Sequence, residues 1–238
     1  MTECYFVTGT DTGVGKTLVA AGMLLAAAAA GKRTVGLKPI ASGAEQTADG
    51  LRNEDACLLA SVMTETLAYE QINPVALGPA IAPHLALRES GLTLDVAGLA
   101  ERCAPTLARA CDFLVVEGAG GWRVPLNETQ TLAELAQRFG FPVVLVVGMR
   151  LGCINHALLS AEAIRSDGLA LAGWVANQID PGQARATENF ATLAAMLEAP
   201  CIARVPWSDG ASAQFMAAHL DLDALRKGAG TLTRRAML

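Results

Sequence analysis

Gly9-Thr-Asp-Thr-Gly-Val-Gly-Lys-Thr17 is the stretch whose residue types and spacing most constrain the chemistry of this chain. Holding a phosphate anion takes several backbone N–H groups aimed at one point, a nearby cation and the positive end of a helix dipole. Glycines at 9, 13 and 15 let the backbone curl close to the anion, and Lys16 supplies the cation. Thr17 adds a hydroxyl suited to a magnesium ion bridging the phosphates. The usual spacing asks for glycine at position 10, where this chain has Thr10, its glycine falling one place earlier. An ordinary strand-to-helix turn containing Gly-Lys-Thr is the plainer alternative. The apolar run before the loop and the long helical pattern after it favour a phosphate loop, and so a nucleoside triphosphate.

Four further groups could join such a site. Glu117 ends the apolar run Phe113-Leu-Val-Val and is followed by Gly118-Ala-Gly-Gly, so its carboxylate should emerge at a sheet edge, where P-loop enzymes place the acid that orients magnesium. Lys38 follows Val35-Gly-Leu and precedes Pro39. A lysine buried there needs an anionic partner, although lysines also snorkel from strand ends. Asp55 falls in the first turn of a helical pattern, where the dipole alone favours an acid, so by local sequence it reads as a helix N-terminal residue. Gly152, Cys153, Ile154 and Asn155 open another helix and read locally as an ordinary N-terminus. His84, His156 and His219 show no metal-ligand spacing.

The elements that must position these groups alternate. Strand-like runs fall at 4–8, 34–38, 112–117, 142–148, 171–177 and 201–206, with helical patterns at 15–30, 53–63, 94–110, 132–139, 154–166 and 184–197. This alternation predicts βαβ units: an α/β, P-loop NTPase-like fold, a mostly parallel sheet with helices on both faces, in a single domain over 1–238. Residues 71–90, broken by Pro74, Pro79 and Pro83, are expected to form a loop near the site. Ligands in such sheets bind beyond the carboxyl ends of the strands. The expected ends carry the phosphate loop, Lys38 to Gly43, Glu117 to Gly121, Gly148 to Asn155, Asn177 and Pro206-Trp207, all on one edge.

Apolar residues make up 52% of the 238 and aromatics only 5%, so Ala, Val and Leu must build the core. Mean hydropathy is +0.35, yet the Ala-rich run 23–30 is too short to span a bilayer. The N-terminus lacks a basic n-region, and a cytoplasmic protein without a leader is expected. A net charge of −5 argues against non-specific nucleic-acid binding, and no membrane partner is expected either. The six cysteines have no C-x-x-C spacing and read mainly as small core residues. Arg234-Arg235 is expected on a solvated tail.

As an ordered set, the motifs resemble one family. Tyr5-Phe-Val-Thr-Gly-Thr-Asp-Thr-Gly-Val-Gly-Lys-Thr, Lys38-Pro-Ile-Ala-Ser-Gly, Leu51-Arg-Asn-Glu-Asp, Asn73-Pro, Ala82-Pro-His84, Val116-Glu-Gly-Ala-Gly-Gly-Trp122, Leu151-Gly-Cys-Ile-Asn-His156, Ala172-Gly-Trp-Val-Ala-Asn177 and Pro206-Trp207 are similar to the ATP-dependent dethiobiotin synthetases of biotin biosynthesis. The likeness runs from Tyr5 to Trp207. It implies an enzyme that closes a cyclic urea on 7,8-diaminopelargonate with carbon dioxide and ATP, through a carbamate and a carbamic-phosphoric anhydride. On this resemblance Lys16 and Lys38 are catalytic cations, and Thr17, Asp55 and Glu117 hold Mg2+, which reverses the local reading of Asp55. ATP falls to Gly13, Val14, Gly15, Lys16, Thr17, Leu18, Asp55, Glu117, Gly118, Asn177, Pro206 and Trp207. The substrate falls to Thr12, Lys38, Ser42 and Gly120, with its far carboxylate on Gly152, Cys153, Ile154 and Asn155 of a second subunit. A homodimer with composite sites is expected. The helix at Gly152 should lie several strand positions from the phosphate loop, too far for one chain to serve both ends of a short substrate.

The chain departs from the family in three places. Gly13 stands where many members carry Glu, the segment after Trp207 differs, and Asn189-Phe190 replaces a tyrosine that some members use to cover the substrate. Two competing classes share the fold. Switch ATPases of the septum-positioning type carry lysine where this chain has Asp11, and cobyrinate-type amide synthases need a glutaminase domain for which 238 residues leave no room.

Overall fold

A computed structural model describes residues 2–229, so Arg234-Arg235 lies outside the described residues. Chain order runs from β1 (Glu3–Gly9) through α1 (Lys16–Ala29) to β2 (Thr34–Leu37). A smaller excursion follows: β3 (Ile40–Ser42), the hairpin β4 (Glu45–Thr47) and β5 (Gly50–Arg52), α2 (Glu54–Val62), α3 (Tyr69–Ile72), β6 (Val75–Leu77) and α4 (Pro83–Glu89). α5 (Val96–Leu107) leads to β7 (Phe113–Glu117), α6 (Leu132–Phe139) and β8 (Val143–Met149). The remainder is α7 (Cys153–Ser166), β9 (Leu171–Gln178), α8 (Ala186–Met196), β10 (Cys201–Val205), α9 (Ala213–Ala217) and α10 (Leu222–Ala229).

Six strands form one sheet in the order β10-β9-β8-β1-β7-β2, every pairing parallel. β7 and β8 are buried along their whole length, as strands covered on both faces must be. Alternate side chains therefore feed two cores. Phe6, Leu114, Val116, Leu145 and Val147 pack under α5, α6 and α7, with Leu99, Leu135 and Ala157. Tyr5, Val7, Val115, Val144 and Val146 pack under α1 and α9, with Val19, Met23 and Met216. The chain starts at β1, builds outward to β2 on one side, then crosses to β8, β9 and β10 on the other. The two β1 neighbours, β7 and β8, thus bracket a switch point where the phosphate loop emerges.

The expected strands and most of the expected helices match within a residue or two, α5 being shorter than its pattern. Two expectations need correction. Residues 71–90 are not a plain loop: β6 pairs in parallel with β3, and α4 begins at Pro83. Proline at a helix's first position removes only an N–H that has no intrahelical partner, so Pro83 starts a helix where it was read as breaking one. The turn at Gly152 is also not several strands from the phosphate loop, because β8 pairs directly with β1, Gly9 opposite Val146. Crossover direction leaves no local trace in the sequence. Among the described residues no helix is long and apolar enough to cross a membrane.

Candidate active site

The phosphate loop joins β1 to α1, with Gly13 and Gly15 at φ 75° and 91°. At Gly15 the backbone needs glycine twice over, since any Cβ would also sit 2.4 Å from Asn177 Nδ2. Val14 is buried, and its carbonyl accepts from Asn177 Nδ2 at 2.9 Å, tying the loop to the end of β9. Lys16 is 7% exposed and donates to the Asp11 carbonyl at 2.9 Å. Burial first, then repulsion from Lys38, pushes its ammonium down to about 8. Thr17 and Leu18 follow in the first turn of α1.

Lys38 is the centre of the site. It follows β2, is 3% exposed, and donates to Glu117 Oε1 at 2.7 Å, Asp55 Oδ2 at 2.8 Å and the Gly118 carbonyl at 3.2 Å. Thr17 Oγ1 donates to the same Glu117 Oε1 at 2.8 Å. Burial opposes the charge on Lys38, but the Glu117 and Asp55 carboxylates outweigh it and hold the ammonium above the ordinary lysine value. Burial also pushes the fully enclosed Glu117 carboxyl above the usual range. For Asp55, burial is outweighed by Lys38, and its carboxyl lies below that range. Two carboxylates and a hydroxyl converge here, and Glu117 Oε2 is buried without a hydrogen-bond partner. That is a hard oxygen donor set of the kind magnesium takes, so the residues fit the ion.

A buried polar chain holds these groups in place, and sequence reading missed it. Asn53 caps α2, its Oδ1 accepting from the Asp55 and Ala56 amides, while its Nδ2 donates to the Ser42 carbonyl. The Asn53 amide donates to Tyr69 Oη, which donates to Asn73 Oδ1. Asn73 Nδ2 in turn donates to the Lys38 carbonyl at 2.7 Å. Polar residues at 53, 69 and 73 that neighbour an apolar helix pattern were the available signal, but their convergence on Lys38 is a tertiary fact. Ser42 Oγ, at the end of β3, is buried with no hydrogen-bond partner.

Thr12 lies on the phosphate loop, and the position of a Cβ on Gly120 is 3.6 Å from its Oγ1, so the glycine loop after β7 comes up against it. Asn177, Pro206 and Trp207 lie at the ends of β9 and β10. Pro206 and Trp207 line a cavity of about 510 Å³ together with Met149, Gln178, Phe190 and His219. Phe190 thus faces this cavity, packed against Trp174 with ring centroids 5.6 Å apart and planes tilted by 37°. Gly152 caps α7 at φ 94°, and the first bond of the helix runs from the His156 amide to the Gly152 carbonyl. The Ile154 and Asn155 amides precede that bond, whereas the Cys153 amide donates to the Arg150 carbonyl and its thiol is buried.

A family model described as an AAA domain matches residues 3–214. The ATP-dependent dethiobiotin synthetase BioD of Pseudomonas aeruginosa PAO1 is 59% identical over 224 residues, covering 94% of this chain and 98% of its own length. The protein of the same name from Cellvibrio japonicus is 56% identical over 94% of this chain and 97% of its own. That from Pseudescherichia vulneris is 47% identical over 97% and 96%. Among solved structures, the septum site-determining protein MinD from Pyrococcus horikoshii, complexed with Mg-ADP, superposes with a TM-score of 0.54 at 20% identity, over 96% of this chain and 92% of that one. The MinC:MinD complex of Aquifex aeolicus gives 0.54 at 16%, over 91% and 85%. At those identities the likeness is one of fold.

Proposed function

The chain belongs to the ATP-dependent dethiobiotin synthetases, and from that membership we infer how its residues divide the work of closing a cyclic urea. It is an ATP-dependent ligase of biotin biosynthesis. The observation that carries the residue-level reading is the junction at Lys38, where one buried ammonium meets Asp55, Glu117 and, through Glu117, Thr17.

The substrates in this reading are 7,8-diaminopelargonate, carbon dioxide and ATP. One amine adds to carbon dioxide, losing a proton, and becomes a carbamate. A carbamate oxygen attacks the γ-phosphorus, the bond to the bridging oxygen breaks, and ADP leaves. The second amine then attacks the carbonyl carbon of the mixed anhydride, expels phosphate and loses a proton as the ring closes. Two anions must be held in line, so positioning and fixed charge carry the rate. Lys16 is placed for the phosphates, and Lys38 for the carbamate and the oxygen developing charge beside it. Thr17, Asp55 and Glu117 would hold Mg2+, which when bound neutralises and orients the phosphates. Ser42 and Thr12 offer hydroxyls to the carbamate or diamine, with Gly120 beside Thr12.

Asn177 gives one Nδ2 hydrogen to the Val14 carbonyl, and its Oδ1 and second N–H are offered to the edge of the base. Pro206 and Trp207 would wall the adenine base. Gly152, Cys153, Ile154 and Asn155 offer a helix N-terminus to the far carboxylate, the Ile154 and Asn155 amides being the donors. We place the enzyme in the cytoplasm as a single-domain subunit of a homodimer with composite sites. The exposed Leu151, in the turn before α7, and Leu159, within α7, supply apolar surface for the partner, at 92% and 57% exposure. The deciding experiment is incubation with diaminopelargonate, labelled bicarbonate, ATP and magnesium. Labelled dethiobiotin is expected, and ATP hydrolysis unaffected by the diamine would overturn the reading.

A further inference from the structure

Asp167 closes α7 at the end where an acid gains nothing from the helix. The last turn carries the negative pole of the helix dipole, which disfavours a carboxylate. Yet the Asp167 side chain is only 13% exposed, so donors from elsewhere must satisfy it. They come from the two residues that follow the glycine loop 118–121. Trp122 Nε1 donates to Oδ2 at 2.7 Å, while Arg123 gives Nη1 to Oδ2 at 2.8 Å and Nη2 to Oδ1 at 2.9 Å. Trp122 is buried and meets the Phe6 ring edge-to-face, with centroids 6.1 Å apart. The loop it ends reaches the chemistry at three points. The Gly118 carbonyl accepts from Lys38 Nζ at 3.2 Å. A Cβ on Gly120 would stand 3.6 Å from Thr12 Oγ1, and one on Gly121 would stand 3.6 Å from the Gly9 carbonyl oxygen. Three of the loop's four residues are glycine, the residue that loses most freedom on ordering, so the loop has to be fixed from its ends.

We propose that Asp167 is a positioning residue: by accepting from the Trp122 indole it pins the far end of the glycine loop, and so sets the Gly118 carbonyl and Gly120 against Lys38 and Thr12. This role rests on the dethiobiotin synthetase reading, which sets a carbamate beside Lys38. Asp167 need touch neither ATP nor diamine. The glycine loop, Lys38 and the phosphate loop that it abuts all belong to one chain, so the pin acts within each subunit even where the start of α7 serves the partner's substrate. Arg123 is half exposed, and its ion pair with Asp167 adds little beside the buried indole bond.

The test compares Asp167→Ala, Asp167→Asn and Trp122→Phe with the wild-type chain, each at a temperature where circular dichroism shows it folded. The readings are kcat for dethiobiotin formation and the Kd for ATP. Asp167→Ala should lower kcat by about tenfold or more, the scale of a small misplacement of reacting groups. The Kd for ATP should change by about threefold at most. Asp167→Asn keeps an oxygen for the indole and should stay within about threefold of wild type in kcat. Trp122→Phe loses the indole donor while leaving the carboxylate and Arg123 in place, and should lose kcat as Asp167→Ala does. It carries the test by itself if Asp167→Ala does not fold. A merely structural tie would lower the melting temperature and leave kcat unchanged, and that result overturns the role of Asp167. So does an Asp167→Asn variant as slow as Asp167→Ala, a Trp122→Phe variant at wild-type speed, or an ATP affinity that falls as far as kcat. A wild-type chain that makes no dethiobiotin overturns the functional reading, and this role with it.

Discussion

Burying the ammonium of Lys38 is tolerable only because Asp55 and Glu117 meet it, and this makes the residue both chemical and structural. Lys38→Ala should lower turnover by about 100-fold or more while ATP affinity changes much less, the signature of charge used chiefly in the transition state. It should also lower stability by about 3 to 5 kcal/mol, since Glu117 would be left as a buried, uncompensated carboxylate. Turnover near wild type, measured by labelled-product assay, would sink the role given to Lys38. Glu117→Gln separates the two effects: magnesium-dependent activity should vanish while circular dichroism stays native, and loss of the fold would make Glu117 structural only. Lys16 yields a pH prediction. Its ammonium falls from the ordinary 10.5 to about 8 in the free protein. Bound phosphate needs the charged form, so ATP binding should take up a proton above about pH 8. Affinity should then fall by up to about tenfold per pH unit beyond that point and stay level below it. The same depression means that Lys16 detracts from folding stability at neutral pH, a cost that fades as pH rises from about 8 towards 10.5. Calorimetry from pH 7 to 9.5 checks the binding claim, Lys16→Arg removing the dependence; a flat profile for wild type contradicts it.

Elements with strong periodicity or capping chemistry were readable from the chain itself. α6 spans 132–139 as expected, with the Glu134 carboxylate accepting from the Thr131 amide and hydroxyl at its start and Gly140 in the left-handed conformation at its end. β1, β7 and β8 read as continuous apolar runs because both faces are covered. What escaped has no local pattern to show. β4 is wholly exposed and three residues long, and α3 is a single turn. In the site, Lys16, Thr17 and Glu117 were legible because a loop glycine or a strand end announced them. Asp55 looked like a helix N-terminal acid, and it does occupy that place, but Lys38 lies 2.8 Å from its carboxylate across 17 residues of chain. Asn53 is the element-scale link, capping the helix that carries Asp55 and holding the Ser42 backbone. Asn53→Ala should cost about 1 kcal/mol or more as a lost cap. It should also raise the magnesium concentration needed for half-maximal activity, because Asp55 loses its fixed aim at the site. Urea unfolding and a magnesium titration test both halves, and an unchanged magnesium requirement would mean that Asn53 serves the helix alone.

For the molecule as a whole, the adjacency of β8 and β1 changes the case for a dimer. Distance no longer demands a second chain, since Gly9 pairs with Val146 and the turn at Gly152 lies beside the phosphate loop of its own subunit. The case now stands on surface chemistry and on the family resemblance. Leu151 and Leu159 are large, apolar and far more exposed than core residues, and they lie in the turn before α7 and midway along it, on either side of the helix start offered to the substrate carboxylate. A two-fold axis near that segment would bring one subunit's α7 to the other's phosphate loop while burying both leucines. Sedimentation should then give twice the 24.7 kDa of one chain, and Leu159→Asp should shift it towards the monomer with loss of turnover. Composite sites require a stricter result. Gly152 has φ 94° with open space around its Cβ position, so Gly152→Trp should strain the turn and block the helix end without invading the core. Lys16→Ala damages the phosphate loop instead. If each site takes its phosphate loop from one chain and its helix end from the other, a mixed dimer holds one site with both defects and one with neither. Mixing the two inactive variants should therefore restore about a quarter of wild-type activity, half of the dimers being mixed and each carrying one intact site. No recovery, with subunit exchange proven by differently labelled chains, would mean that each chain builds its own site.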